Sequence, residues 1–429
     1  KGGETANYKY ISGIFISKNN KFYHIEKDEE KAILIGKEKN SVEELERLAE
    51  TADINIYGKL LHSRDKIDAA YYIGSGKLKE LSDLVNKLSA NLVIFDHELS
   101  PAQHRNLEED LNTEVIDRTQ LILNIFSRHA HTKESKLQVE KAQLEYLLPR
   151  LTGKGTELSR LAGGIGTRGP GETKLEIDKR RISKRIHKLK EKLAEVKKNR
   201  NVQRKDRDDP LIALVGYTNA GKSTLLNLLT GSEMVVADKL FATLDSTLRN
   251  MQLPDGRQII ITDTVGFIRN LPHQLVASFR ATLEEIKMAD LILHVVDSSD
   301  PQAEKQIKVS NEVLKDMNAE KIDKLLVFNK IDKAEGPQLK KLELQYPNHL
   351  SVSALNGKGK NKLINKITEY IEKDMITVKL NIPYNKAKWV EKIHNKGKVI
   401  KEKYTDNFIF IEAKVSEKIA NILEKYNAN

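Results

Sequence analysis

Lys222 and Ser223 close a G-x-x-x-x-G-K-S run that begins at Gly216 and reads GYTNAGKS. Glycines at this spacing let backbone N–H groups curl around a phosphate, and the helix that follows adds partial positive charge at its N-terminus. The lysine ammonium then reaches the β- and γ-phosphates, and the serine hydroxyl can ligate Mg²⁺. Gly216, Tyr217, Thr218, Asn219, Ala220, Gly221, Lys222, Ser223 and Thr224 are therefore candidate phosphate-site residues.

Four further groups follow in order. Phe241, Ala242, Thr243, Leu244 and Asp245 offer Thr243 as a second metal-ligating hydroxyl, released when the γ-phosphate leaves. Asp263, Thr264, Val265 and Gly266 put a carboxylate where it holds Mg²⁺ through water, and the Gly266 amide where it senses the γ-phosphate. Asn329, Lys330, Ile331 and Asp332 supply a carboxylate that accepts from the guanine N1–H and exocyclic amine, which adenine does not present. Ser353, Ala354 and Leu355 complete the base pocket. Any one of these short motifs is weak. Four in the correct order specify a GTPase with Mg²⁺ as cofactor, in which Lys222, Thr243 and Gly266 act on the reacting phosphate. In Ras-like enzymes a glutamine that orients the attacking water follows the D-x-x-G glycine. Here that residue is Phe267, so slow intrinsic turnover, stimulated by a partner, is expected.

These residues need a scaffold, and the hydrophobic pattern describes one. Residues 211–215 read as a buried parallel strand, and Leu225, Leu226 and Leu229 continue as a helix. Segments 248–253 and 258–261 follow, separated by a Pro254-Asp255-Gly256 turn, and the apolar runs at 291–296 and 325–328 are further buried strands. The expected fold is a mostly parallel P-loop GTPase domain of the TRAFAC class, over 206–374.

The 429 residues are long enough for two to four domains. No apolar run approaches the roughly 20 residues of a membrane span. The absence of cysteine rules out disulfides and thiolate metal sites, in keeping with a reducing, cytoplasmic setting. A net charge of +11 suggests a polyanionic partner if the charge is clustered.

The charge is clustered. Between Lys174 and Lys205 there are 14 Lys/Arg against four Asp/Glu. Leu175, Ile182, Ile186, Leu189, Leu193 and Val196 form a coiled-coil seam in the same stretch. It should pair, as a long antiparallel helical hairpin over 119–205, with an earlier helix carrying Leu137, Leu144, Leu148 and Leu151, which is broken near 129–135. A glycine-rich segment over 153–173 joins them, with five glycines between Gly163 and Gly171. Close backbone approach at Gly163, Gly164, Gly166 and Gly169, with donors from Arg168, Lys174, Arg180, Arg181, Lys184 and Arg185, makes arm and tip candidates for RNA contact. His129 and His131 cannot share a helix face and are not expected to hold a metal.

Before the arm, residues 31–118 alternate strands and helices as a small α/β domain, after a hairpin or extension expected in 1–30. A capping box at 41–44 is expected to open its first helix. Gly74-Ser-Gly-Lys77 imitates a phosphate loop but lacks the first glycine at the right distance and has Leu78 where Ser or Thr belongs, so it is assigned no catalysis. After the GTPase domain, residues 375–429 read as a βαββα module of βαββ-type sheet, whose exposed basic residues leave a second contact role open. The fold class is thus multidomain α/β.

Together these residues resemble the HflX family of translation-associated GTPases. The resemblance is carried by Tyr72-Ile-Gly-Ser-Gly-Lys77, Phe95-Asp-His-Glu-Leu-Ser-Pro-Ala-Gln103, Leu137-Gln-Val-Glu140 through Leu148-Pro-Arg-Leu151, and Gly163-Gly-Ile-Gly-Thr-Arg-Gly-Pro-Gly-Glu-Thr-Lys174. Phe241-Ala-Thr-Leu-Asp245 and Asp263-Thr-Val-Gly-Phe267 extend it into the GTPase domain. Ser246, Asn124 and Leu161-Ala162 depart from the family pattern, which has Pro, Asp and Gln-Gly there. The resemblance implies a factor that binds the 50S subunit and its 23S rRNA and splits stalled or idle 70S ribosomes under stress, with the N-terminal domain and arm reaching toward the peptidyl-transferase region. Some members are reported to use ATP through the N-terminal part, or to confer antibiotic resistance. A large-subunit assembly GTPase without splitting activity, or an ATP-driven rRNA remodeller, are the alternative readings, and a monomer is expected.

Overall fold

The computed structural model describes residues 10–11, 14–16, 22–23, 30–62, 67–151, 170–205, 209–232, 239–241, 243–245, 247–269, 285–373 and 375–428. Two compact units are built on Lys1–Leu193 and on Ala194–Leu271 with Phe279–Asn429.

The first unit opens with three short strands, β1 (Tyr10–Ile11), β2 (Ile14–Ile16) and β3 (Phe22–Tyr23), paired antiparallel, one more than a hairpin supplies. Its core is a parallel sheet of β4 (Lys31–Gly36), β5 (Asn55–Leu61), β6 (Leu92–Phe95) and β7 (Glu114–Asp117), in the order β5-β4-β6-β7. Helices α1 (Lys39–Thr51), α2 (Ser75–Leu88) and α3 (Pro101–Leu111) connect the strands, as the alternating pattern requires. The start of α1 corrects the sequence expectation. Glu38 is the cap, and Ser41 is the N3 residue whose hydroxyl reaches back to Glu38. Serine can serve either end of a capping box, so the motif alone misplaced the start.

Next come α4 (Arg118–His129) and α5 (Lys133–Arg150), interrupted where expected, with Thr132 capping the second helix through the Ser135 amide. His129 Nδ1 lies 2.9 Å from the Ile125 carbonyl. No metal-binding cluster of His, Asp or Glu occurs among the described residues. The long helix α6 (Pro170–Lys205) packs Ile182, Ile186 and Leu189 against Leu137, Leu144, Leu147 and Leu151. Leu147, outside the pattern read from the sequence, is buried in this seam, while Leu148 is only partly so.

In the second unit a six-stranded sheet has the order β13-β12-β11-β8-β10-β9. It comprises β8 (Leu211–Val215), β9 (Thr247–Gln252), β10 (Gln258–Asp263), β11 (Leu291–Asp297), β12 (Lys324–Asn329) and β13 (His349–Ser351), parallel throughout except for the β9–β10 pair. Parallel strands buried on both faces read as continuous apolar runs, which is why they were legible. Helices α7 (Lys222–Thr230), α8 (Ala303–Asp316), α9 (Gly336–Gln345) and α10 (Lys360–Lys373) complete it.

The same unit ends in an antiparallel sheet, β14 (Met375–Pro383), β15 (Lys398–Tyr404) and β16 (Phe408–Ser416), with β16 central. Helices α11 (Lys388–Lys396) and α12 (Glu417–Leu423) cover one face. A 3₁₀ turn at Tyr384–Lys386 precedes α11, and β16 runs through Val415 to Ser416 before α12 begins. Among the described residues no helix is long and apolar enough to cross a membrane.

Candidate functional site

In and beside the loop after β8, three glycines at the ends of β8 and β10 stand where a Cβ would meet a neighbouring atom. Gly216, at φ +155°, would place a Cβ 2.0 Å from the Val295 carbonyl oxygen on β11. Gly221, at φ +86°, caps α7 and would place one 2.3 Å from Asn329 Nδ2. Gly266 has a different constraint, since a Cβ there would lie 2.7 Å from Thr218 Cα. The loop is therefore packed against β11, β12 and the end of β10 without space for a methyl group.

Backbone hydrogen bonds continue that packing. Thr218 N donates to the Phe267 carbonyl at 2.8 Å, and Phe267 N donates to the Gly216 carbonyl at 3.0 Å. This short parallel bridge extends the β8–β10 pairing past the strand ends. The Tyr217 hydroxyl accepts from the Arg269 amide at 2.9 Å, a second tie between the same segments. The Phe267 side chain is 1% exposed and belongs to the interior. Its position is thus a packing position, and no polar group at 267 faces the loop.

Lys222 is buried, and its Nζ donates to the carbonyls of Tyr217 at 2.8 Å and Gly216 at 3.2 Å. Burial lowers its pKa to about 8, with Asp263 opposing the shift. Ser223 Oγ, the first hydroxyl of α7, donates to Asp263 Oδ2 at 2.5 Å and lies 2.9 Å from Thr243 Oγ1. Burial raises the Asp263 pKa, against Lys222 and its hydroxyl neighbours. Asp263 Oδ1 is buried without a hydrogen-bond partner. Two hydroxyls and a carboxylate with an unused oxygen form a hard, all-oxygen donor set, the type that suits Mg²⁺. Residues read from three separate stretches of sequence are thus brought to one point.

The expected base-site residues divide into two groups. Asn329 is buried, donating from Nδ2 to the Ala220 carbonyl and accepting at Oδ1 from the Ala354 amide, both at 2.9 Å. It braces the phosphate loop against the 353–355 loop. Asp332 and Leu355 are exposed, Leu355 to 76%. Lys330, at φ +60°, pairs through Nζ with Asp297 Oδ2 at 2.7 Å. Ser353 is buried, its hydroxyl bonded to Asn356. Sequence reading missed Asp297 and Asn356. Asp297 was detectable, since it ends an apolar parallel strand where ligands gather. Asn356 carried no comparable signal. Ala242 lies outside the described residues.

On the arm, Arg180 and Arg181 are exposed and make only loose ion pairs to Glu176 and Asp178, at 3.7 and 3.9 Å. Lys184 is exposed as well. Arg185 differs. Its guanidinium holds Glu140 in two hydrogen bonds of 2.6 and 2.8 Å, so it ties α6 to α5. Gly163, Gly164, Gly166, Arg168 and Gly169 lie outside the described residues, as does the Lys174 side chain. The Gly74 look-alike is a helix entry in which Lys77 pairs with Glu80 at 2.7 Å.

Three family models match the chain: the GTP-binding GTPase N-terminal region over 39–127, the GTP-binding GTPase Middle Region over 129–207, and the 50S ribosome-binding GTPase over 211–330. The GTPase HflX of Caldanaerobacter subterraneus subsp. tengcongensis is 46% identical over 409 residues, covering 93% of this chain and 94% of that one. The GTPase HflX of Lacrimispora saccharolytica is 46% identical over 396 residues, covering 91% and 93%. That of Escherichia coli (strain K12) is 44% identical over 352 residues, covering 81% and 83%.

The chain belongs to the HflX family of GTPases.

As an HflX GTPase the chain binds GTP. The matched regions span both the helical arm and the parallel sheet that carries the loop, so the family likeness extends well beyond generic GTPase motifs.

Proposed function

We propose that this HflX GTPase is a Mg²⁺-dependent cytoplasmic factor that binds the 50S subunit and dissociates stalled or idle 70S ribosomes. Lys222 and the amides of residues 219–224 hold the phosphates. Ser223 and Thr243 ligate Mg²⁺ and Asp263 supports it through water, with the partnerless Asp263 Oδ1 available to accept from that water. Mg²⁺ bound there neutralises charge on the phosphate oxygens. The Asp332 carboxylate is exposed and suited to guanine, while Asn329 holds the two loops between which the base sits. Gly266 packs on Thr218, so movement of its amide toward a γ-phosphate is transmitted directly to the phosphate loop.

Intrinsic hydrolysis is slow on this reading, because the buried Phe267 offers nothing to orient water and the stimulus comes from the ribosome. The observation that carries the partner assignment is the basic helix α6, with Arg180, Arg181 and Lys184 exposed and most of the chain's net charge concentrated there. Arg185 is left out of the contact set because it is committed to Glu140. The glycine-rich tip with Arg168 is proposed to reach the rRNA with it. The name of the matched region, a 50S ribosome-binding GTPase, supports the same partner.

Light scattering of purified 70S particles tests this reading. Added protein with GTP or a non-hydrolysable analogue should lower the 70S signal. An unchanged signal at excess protein would favour a large-subunit assembly role instead.

A further inference from the structure

The C-terminal sheet has one face that its own helices leave open. β14 and β16 send Leu380, Ile382, Ile409 and Ile411 to the α11–α12 side, where all four are buried. Strand alternation forces the intervening residues to the other face. On the central strand these are Phe408, Phe410, Glu412 and Lys414, all half-buried. The register puts Pro383 opposite Phe408, and places Phe410 between Asn381 and Lys403. Glu412 lies between Lys379 and Lys401.

This composition is unusual for a solvated face. Two aromatic rings occupy alternate positions of the central strand, while the helix side of that strand is wholly aliphatic. Lys379, Lys401 and Lys403 are exposed around them. Lys401 and Lys403 have no ion pair among the described residues, and Lys379 reaches Glu412 only at 3.8 Å. Lys398 and Lys414 turn to Glu372 at the far end of the sheet and are partly neutralised. Asn381 Oδ1, beside Phe410, is buried without a hydrogen-bond partner.

We propose that this face binds single-stranded RNA, with two successive bases stacked on Phe408 and Phe410 and the phosphates held by Lys379, Lys401 and Lys403. RNA-recognition sheets use the same device, aromatics at alternate positions of a central strand that stack two or three bases. Stacking needs unpaired bases, so a duplex is disfavoured, and the surrounding lysines complement phosphate rather than an acidic protein surface in register with the rings. The inference is independent of whether the chain splits ribosomes.

The test is fluorescence anisotropy of the full chain with a fluorescein-labelled, unstructured RNA of about ten nucleotides, a length within the range such surfaces occupy. Phe408→Leu with Phe410→Leu keeps the apolar area and removes the rings, and should weaken binding about tenfold or more. Lys401→Glu with Lys403→Glu should weaken it and flatten its salt dependence. Lys305→Glu with Lys308→Glu, exposed on α8 and outside both this face and the arm, should leave it within about twofold. Unchanged melting and GTP affinity in the leucine variant would confirm its fold, and the lysine variant tests the face if that one misfolds. Wild-type affinity in both sheet variants, an equal loss in the α8 variant, or equal affinity for duplex RNA would each overturn the proposal. None of these results bears on the 70S scattering assay, so the two readings fail separately.

Discussion

Asn329 Nδ2 fills the space in which a Gly221 side chain would begin, 2.3 Å from where its Cβ would lie. The contact explains both residues at once. Gly221 must lack a side chain so that Asn329 can reach the Ala220 carbonyl, and Asn329 must be an amide so that it can also accept from Ala354 N.

Asn329→Ala removes both bonds and leaves a buried carbonyl and amide unsatisfied, at a cost of roughly 1–3 kcal/mol each. Affinity for GTP and GDP should fall together by tenfold or more, measured with fluorescent nucleotide analogues. A loss restricted to one nucleotide would contradict the bracing role.

Gly266→Ala drives a methyl group into Thr218, displacing the segment after β10 from the phosphate loop. Turnover in the presence of ribosomes should drop at least tenfold, a barrier increase of about 1.4 kcal/mol. GDP affinity should change much less. Single-turnover hydrolysis and GDP titration together check this.

Phe267→Gln places an amide in a position that is 1% exposed. Burying that group without partners costs roughly 1–3 kcal/mol, in addition to lost packing. The variant should melt several degrees lower and gain no ribosome-independent turnover. Fast hydrolysis by the isolated variant would show that residue 267 can face the nucleotide after all.

His294, buried on β11, has its pKa pushed down to about 3 by burial, with Lys324 and Lys222 adding to the effect. The unfolded chain titrates near the usual 6.5, so between these values it binds more protons than the folded chain. Stability is therefore complete above pH 6.5 and is lost as the pH falls, by up to about 1.4 kcal/mol per pH unit from this group. Urea midpoints at pH 7 and pH 5 should show the loss in wild type, and a smaller one in His294→Leu.

Arg180→Glu with Arg181→Glu reverses charge on the exposed face of α6 without touching the Ile182–Ile186–Leu189 seam. Binding to 50S particles, followed by co-sedimentation, should weaken more than tenfold and become less salt-dependent. Melting should be unchanged, because surface pairs of this kind contribute little to stability.

The amino-acid sequence by itself determined the parallel strands and the chemistry at their ends. A strand buried on both faces must be apolar throughout, and a phosphate loop must have glycine where backbone meets backbone. Gly216, Lys222, Ser223, Asp263 and Asn329 were therefore all legible, as were the family likeness and the interruption between α4 and α5. Tertiary structure decided what each group does with its other side. That Asn329 braces two loops, that Phe267 is part of the core, and that Arg185 belongs to Glu140 depend on residues 25 to 109 positions away or on burial alone. Local spacing carries no record of such partners. The open face of the C-terminal sheet is the same case, since alternation marks Phe408 and Phe410 as sharing a side, and only the packing of α11 and α12 decides which side is left open.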